Sequence, residues 1–376
     1  MNAMMNVNVS MSKGENCHRS VAARAQAAGE ASSSGGSSAV VLEDEKMNLG
    51  KSDIIVPRIG IGAWSWGDRS GYWGWKPDQE EQNKNALKRA IELDIAFVDT
   101  AEVYGFGLSE TLTGKFIDSL GAGSSVTIAT KFAPLPWRLV RDTVPVALRD
   151  SLERLQMGRV DLYMIHWPGF FFNAWSNNEY IEGLANCYAQ GMCRSVGVSN
   201  FNAERIRSSS AQLVDRGIPL ASNQIQYSLL YRKPETNGVL QACRENGVTP
   251  VAYSPLCQGL LTGKYRATGS SDIVGQRAAR NAFSQEQLAA LEPLLGLMTD
   301  IGSAHGGKTP TQVALNWTVC KGALPIPGVK TPAQVEEAAG ALGWRLTEDE
   351  QAALEKAVDK LEAGGYEATG APFENW

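Results

Sequence analysis

The sequence predicts an α/β fold, a closed parallel (β/α)8 barrel of the TIM type whose active site is built from loops on the C-terminal face of the strands. Three observations carry this. Short apolar or β-branched runs recur eight times, helix-forming stretches separate them, and most runs start about thirty residues apart, the length of a βαβ unit.

The first run, "RIGIG", covers residues 58–62 and leads through a tryptophan-rich segment to the helical stretch "EQNKNALKRAIEL". "IAFVD" follows at 95–99 and "VTIATK" at 126–131. After these comes "VPVALRDSLERLQM", in which Val144, Leu148, Leu152 and Leu155 keep helical spacing. "VDLYMIH" at 160–166, "SVGVSN" at 195–200, "ASNQIQY" at 221–227, "TPVAYSP" at 249–255 and "ALPIPG" at 323–328 complete the set. Two insertions, "PLPWRLVRD" after the third run and "WPGFFFNAWSNNEY" after the fourth, fall where barrels build active sites. Trp64, Trp66, Trp137 and Trp167 are expected to shape a pocket there. An open doubly wound sheet also alternates strand and helix, but its first strand leads into a G-x-G-x-x-G phosphate loop. Here "GIGAWSWG" places tryptophans where the backbone would approach a pyrophosphate, which favours the barrel.

A chain of 376 residues, 43% apolar, can bury a large core, and barrels of this type use roughly 250 residues. The formal net charge of −5 argues against a nucleic-acid partner, which calls for a basic excess. No uninterrupted apolar stretch is long enough to suggest a membrane span. Six scattered cysteines and three histidines show neither paired zinc spacing nor a disulfide framework, so no metal site is expected and the thiols read as reduced. Residues 1–46 differ from the rest: they are rich in Ala, Ser, Met and Asn, and include a Ser/Gly run that cannot pack a core. Lys13, Arg19 and Arg24 face a single acid, Glu15, up to Ala28, and "SVAARAQA" resembles a plastid processing site. The expectation is a disordered leader over 1–46, a plastid transit peptide, followed by one barrel over 47–376. The alternative is an untargeted tail on a cytoplasmic protein. Nothing in the sequence speaks to an oligomeric state.

Polar residues stop successive runs. Asp99 ends the second, Lys131 the third and His166 the fourth, with Tyr104 in the loop after Asp99. Singly, such residues are usually caps, solvated charges or packing; at the same ends of consecutive barrel strands they converge on one face. A phenol titrates near 10 and is a weak acid at neutral pH, but an adjacent buried ammonium stabilises the phenolate and lowers that value. Lys131 is expected to do this, with Asp99 compensating its burial. His166 would orient and polarise the oxygen that Tyr104 protonates. Reduction of a carbonyl also needs a hydride, which no side chain supplies, so a nicotinamide is implied. Ser199, Asn200 and Gln224 could hold its carboxamide, and Tyr253 offers a flat face for its ring.

Taken together, "FVDTAEVYG", "ATK", "DLYMIHWPG", "GVSNF", "NQIQYSLL", "AYSPLCQGLLTGKY" and "IPGVKTPAQVEEA" resemble, in order, the signatures of the aldo-keto reductases from about Met47 to about Lys360. "WSWGD", "HWPG" and the leader are most similar to the chloroplastic plant and algal branch, itself related to pyridoxal reductases and more distantly to potassium-channel β-subunits. The resemblance implies Tyr104 as proton donor, Asp99 and Lys131 as its support, and His166 as substrate-orienting residue. It likewise implies Ser199, Asn200, Gln224 and Tyr253 around the nicotinamide, Ser254, Leu256 and Lys264 at the pyrophosphate, and Gly328, Lys330, Gln334 and Glu337 at the adenosine. One position departs from the family pattern: Ala338 stands where an Asn usually contacts adenine. A cation at Lys330 favours NADP(H) over NAD, although a lysine exposed at a helix start looks the same in sequence.

The leading expectation is an NADPH-dependent reductase of a small-molecule aldehyde or ketone. A redox-sensing module that binds NADP(H) with little turnover would keep the same residues. A phosphate-handling barrel lyase or isomerase would bind no NADPH.

Overall fold

The computed structural model describes residues 45–267 and 283–366. The predicted leader lies outside them except for its last two residues, Glu45 and Lys46, which belong to the folded body. Lys46 opens a short antiparallel hairpin, β1 (Lys46–Asn48) with β2 (Ile55–Pro57). The Glu45 carboxylate is buried against the Arg345 guanidinium at 2.7 Å.

Eight parallel strands follow: β3 (Ile61–Gly62), β4 (Phe97–Asp99), β5 (Thr127–Phe132), β6 (Val160–Ile165), β7 (Cys193–Ser199), β8 (Leu220–Gln226), β9 (Thr249–Tyr253) and β10 (Leu324–Pro325). Each pairs with the next in chain order, and the first meets the last. Gly60 N donates to Pro325 O at 3.0 Å and Gly62 N to Pro327 O at 2.9 Å, with Gly62 bridging Gly328. All eight predicted runs are strands, but the two at the closure shrink to two residues each. Pro325 and Pro327 have no N–H, so neither can donate across this seam.

The barrel is filled by inward-facing residues such as Phe97, Ala129, Met164 and Val251, and the hairpin's Leu49, Ile54 and Val56 join the same buried cluster. The hairpin therefore plugs the end where the strands begin and leaves the opposite end for chemistry. Outside the strands lie α1 (Glu80–Glu92), α2 (Leu108–Ser119), α3 (Thr143–Leu155), α4 (Asn177–Ala189), α5 (Ala203–Val214), α6 (Lys233–Thr236), α7 (Val239–Asn246), α8 (Gln285–Ala304), α9 (Pro310–Cys320), α10 (Pro332–Ala339) and α11 (Glu348–Ala363). The stripe of Val144, Leu148, Leu152 and Leu155 is the buried face of α3. Among the described residues no helix is long and apolar enough to cross a membrane. Trp66, expected near the pocket, is instead fully buried: its indole N–H donates to Val329 O at 2.7 Å and its ring meets the edge of Phe116.

Candidate active site

The end of β4 and the loop after it set the first two side chains. Asp99 is the last residue of β4, and Tyr104 opens a 3₁₀ turn spanning Tyr104–Gly107. Gly105 holds φ at 57°, and a Cβ there would lie 2.1 Å from Gly67 O. Only glycine admits both the left-handed backbone and that approach. Gly105→Ala should therefore cost more than about 1 kcal/mol of stability and displace the neighbouring phenol; urea unfolding alongside turnover would show both losses together.

Lys131, on β5, has no exposed surface. Its ammonium donates to Asp99 Oδ1 at 2.6 Å, Thr100 O at 2.8 Å and Tyr104 Oη at 3.2 Å, so all three of its protons have acceptors. Gln224 Nε2 on β8 donates to the other Asp99 oxygen at 2.7 Å. His166 follows β6, with its backbone N–H donating to Phe132 O at 2.8 Å. Its ring stands edge-on to Tyr104 at 5.5 Å between centroids, and its Nδ1 is buried with no hydrogen-bond partner among the described residues. Trp64 stacks on Tyr104 at 5.9 Å. The four residues expected to act together thus form a chain of contacts, Asp99 to Lys131, Lys131 to Tyr104 and Tyr104 to His166.

Their electrostatics differ from the sequence expectation in one respect. The Tyr104 phenol is not lowered; burial, followed by the Asp99 carboxylate and Tyr253, pushes it well above its usual range. Burial is the main cause, and the 2.6 Å pair accounts for why Lys131 does not counter it. Asp99 offsets the charge of Lys131, so the phenol beside them meets a nearly neutral unit inside an apolar wall. Burial also raises Asp99 and lowers Lys131, each against the pull of its partner. His166 is pushed well below the usual imidazole range by burial and then by Lys131, and is neutral. At neutral pH the cluster presents a protonated phenol and a neutral imidazole.

Apart from Lys131, which sits behind Tyr104, every predicted site residue lines a single cavity of about 870 Å³. Asn200 and Tyr253 are already bonded across it, Tyr253 Oη donating to Asn200 Oδ1 at 2.9 Å. Asn200 Nδ2 is shared between His166 O and Ser199 Oγ, and the Ser199 hydroxyl donates to Gln224 O. The Gln224 amide nitrogen belongs to Asp99, so its Oε1 is the atom left to accept from a carboxamide. Ser254, Leu256 and Lys264 line the stretch after β9, where Ser254, Cys257 and Gln258 all hold φ between 46° and 59°. At the far end are Gly328, Lys330, Gln334 and Glu337. A Cβ on Gly328 would meet no atom closer than 4.0 Å, so open space lies over its backbone. The Lys330 ammonium donates to Trp73 O at 2.9 Å, Gln334 Oε1 accepts from Lys330 N at 2.7 Å, and Glu337 accepts from the Thr309 hydroxyl. Ala338 also lines this end, leaving room where an amide side chain was expected.

This long cleft, with an open backbone cradle at one end and an unpartnered imidazole nitrogen at the other, fits a dinucleotide. Two features at or beside it were not anticipated. Trp73, from the segment after β3, lines one wall, and the adjacent Tyr72 donates through Oη to Gln258 Oε1, another lining residue, at 2.8 Å. Glu102 and Arg138 join the loops after β4 and β5 beside Tyr104. The density of tryptophan and tyrosine over 64–75 was the available signal for the wall; the ion pair had none. Trp137, expected in the pocket, is 72% exposed and outside the cavity, whereas Trp64 and Trp167 line it.

The aldo/keto reductase family model matches residues 58–359. A protein of Arabidopsis thaliana named chloroplastic pyridoxal reductase is 39% identical over 322 residues, covering 84% of this chain and 86% of the relative. Among solved structures, an aldo-keto reductase from Klebsiella pneumoniae in complex with NADPH superposes with a TM-score of 0.65 at 25% identity, covering 83% of this chain and 94% of that one. The glycerol dehydrogenase of Gluconobacter oxydans gives a TM-score of 0.71 at 26% identity over 88% of this chain and 99% of that one. With its eight-stranded barrel, its strand-end cluster and a family match that spans the barrel, the chain belongs to the aldo/keto reductase family and is an oxidoreductase.

Proposed function

We propose that the protein reduces an aldehyde or ketone to the alcohol with NADPH, Tyr104 giving the proton. The observation that carries this is the 3.2 Å contact of the Lys131 ammonium with Tyr104 Oη at the wall of the cleft, with the His166 ring alongside. When bound, the nicotinamide supplies the hydride. The phenol, held protonated by burial, donates to the carbonyl oxygen as negative charge develops there. Lys131 stabilises the phenolate left behind, while Asp99 keeps the ammonium charged inside the barrel. His166, neutral, hydrogen-bonds the same oxygen and fixes its approach. Gln224 Oε1, Ser199 and Asn200 would hold the carboxamide, and Tyr253 the ring face. Ser254, Leu256 and Lys264 would hold the pyrophosphate, and Gly328, Lys330, Gln334 and Glu337 the adenosine end. Lys330 at that end supports NADP(H) over NAD.

The test is NADPH oxidation by the full chain, followed by near-ultraviolet absorbance, across pyridoxal, aromatic and short reactive aldehydes. Turnover with at least one is expected. Tight NADPH binding with no turnover on any would replace the reductase by the redox-sensing reading. The relative named chloroplastic, together with the basic, acid-poor start of the chain, supports a plastid location; import of a fluorescent fusion into isolated plastids checks it.

A further inference from the structure

Glu102 and Arg138 lie outside the roles above, and their contacts converge on the proton donor. Glu102 is two residues before Tyr104, and its side chain is 9% exposed. Its Oε1 accepts from Ala133 N at 2.6 Å, and Ala133 is two residues past Lys131. A single carboxylate thus stitches the loop carrying the phenol to the chain carrying the ammonium. Arg138 grips that carboxylate with two nitrogens, at 2.5 and 3.1 Å, and folds its own loop back by donating to Ala133 O at 3.0 Å. The guanidinium also lies over the Phe132 ring at 5.0 Å. The backbone carbonyl of Arg138 accepts from Tyr180 Oη on α4, and Asn173 Nδ2 in the loop after β6 donates to Pro134 O at 2.9 Å. Together these contacts tie the loops after β4, β5 and β6 to one another, the pair joining the first two.

Resting on the reductase reading, we infer that Glu102 and Arg138 are a positioning pair: they set the separation of Tyr104 Oη from Lys131 Nζ and hold the rim around the carbonyl. A two-nitrogen grip on a nearly buried carboxylate fixes orientation as well as distance, which a lysine cannot reproduce. Their effect reaches the reaction through Tyr104, and neither lines the cleft.

The experiment compares full-length wild type, Arg138→Ala, Arg138→Lys and Glu102→Gln. For Arg138→Ala, kcat should fall about 10- to 100-fold, the cost of misplacing a reacting group by a fraction of an ångström to an ångström. The solvent deuterium isotope effect on kcat should grow, and NADPH affinity, read by quenching of protein fluorescence, should stay within about twofold because the adenosine end is untouched. Arg138→Lys should recover part of the loss. If Arg138→Ala does not fold, Glu102→Gln, which keeps an acceptor for Ala133 N and removes the charge, should give the same pattern more weakly. Amide exchange needs no turnover: segments 101–107 and 133–138 should exchange faster in the variants while 328–337 is unchanged. A folded Arg138→Ala protein with wild-type exchange over 101–107 overturns the inference, as does a kcat loss matched by an equal loss of NADPH affinity. Altered exchange in a chain whose wild type turns over no carbonyl sinks the reductase reading and leaves the positioning of Tyr104 standing.

Discussion

Tyr104→Phe should lower kcat for carbonyl reduction by about 10²- to 10⁴-fold, the usual contribution of a positioned general acid, with NADPH affinity changed by less than about twofold. The substitution removes one oxygen and little else. A phenylalanine ring can keep the stack on Trp64 at 5.9 Å and the Lys131 ammonium over its face at 4.7 Å, so the cleft should retain its shape. What is lost is the proton at the end of the 3.2 Å contact. Steady-state kinetics with fluorescence titration of NADPH separates these effects. The wild-type pH profile follows from the same cluster. Tyr104 is raised well above 10.0 and is the active, protonated form below that value, so reductive turnover should persist into alkaline solution and decline only as pH rises through the raised value. His166 is lowered well below 6.5 and is the active, neutral form above its own value, so the acid limb should also lie outside the neutral range. A reductase with a lowered phenol would instead lose activity near neutral pH.

Much of this site could be read from the chain because its residues are punctuation. Asp99, Lys131 and His166 each interrupt an apolar run at the point where a barrel strand leaves the core, and once eight runs are counted their convergence follows from topology alone. The same reasoning could not place residues that lie between the runs. Trp64 and Trp66 are two positions apart in a loop with no period; one stacks on the phenol and the other is fully buried against Phe116, its indole N–H bonded to Val329 O. The hairpin of β1 and β2 went unread because three-residue strands carry too little alternation to register, although they stopper the barrel. The direction of the Tyr104 shift was misjudged because charge types are visible in a sequence and their compensation is not. Lys131 alone would have lowered the phenol, whereas Lys131 held at 2.6 Å by Asp99 leaves burial to decide. Glu102 and Arg138, far apart in two irregular loops, meet only in three dimensions.

Asp99→Asn should destabilise the fold by about 3–5 kcal/mol, the usual cost of stripping the partner from a buried ion pair. Lys131 has no exposed surface, and with the carboxylate gone its ammonium keeps only Thr100 O and the Tyr104 hydroxyl as established acceptors. The loss should depend on pH with a defined sign. Burial already lowers Lys131 below its usual 10.5, and removing the carboxylate lowers it further. Between that lowered value and 10.5 the unfolded chain binds more protons than the folded one, so stability rises with pH across the window; below it both states are charged and the full penalty applies. Urea midpoints measured from neutral to alkaline pH should therefore climb for Asp99→Asn more than for wild type. The double variant Asp99→Asn/Lys131→Met separates folding from chemistry. With no charge left to bury, it should recover most of the lost stability, since apolar replacement of a buried pair is often neutral or better. Turnover should not recover, because no ammonium then faces Tyr104 Oη. A double variant that regained both would show that the pair is needed only to be buried without penalty, and would move the stabilisation of the phenolate away from Lys131.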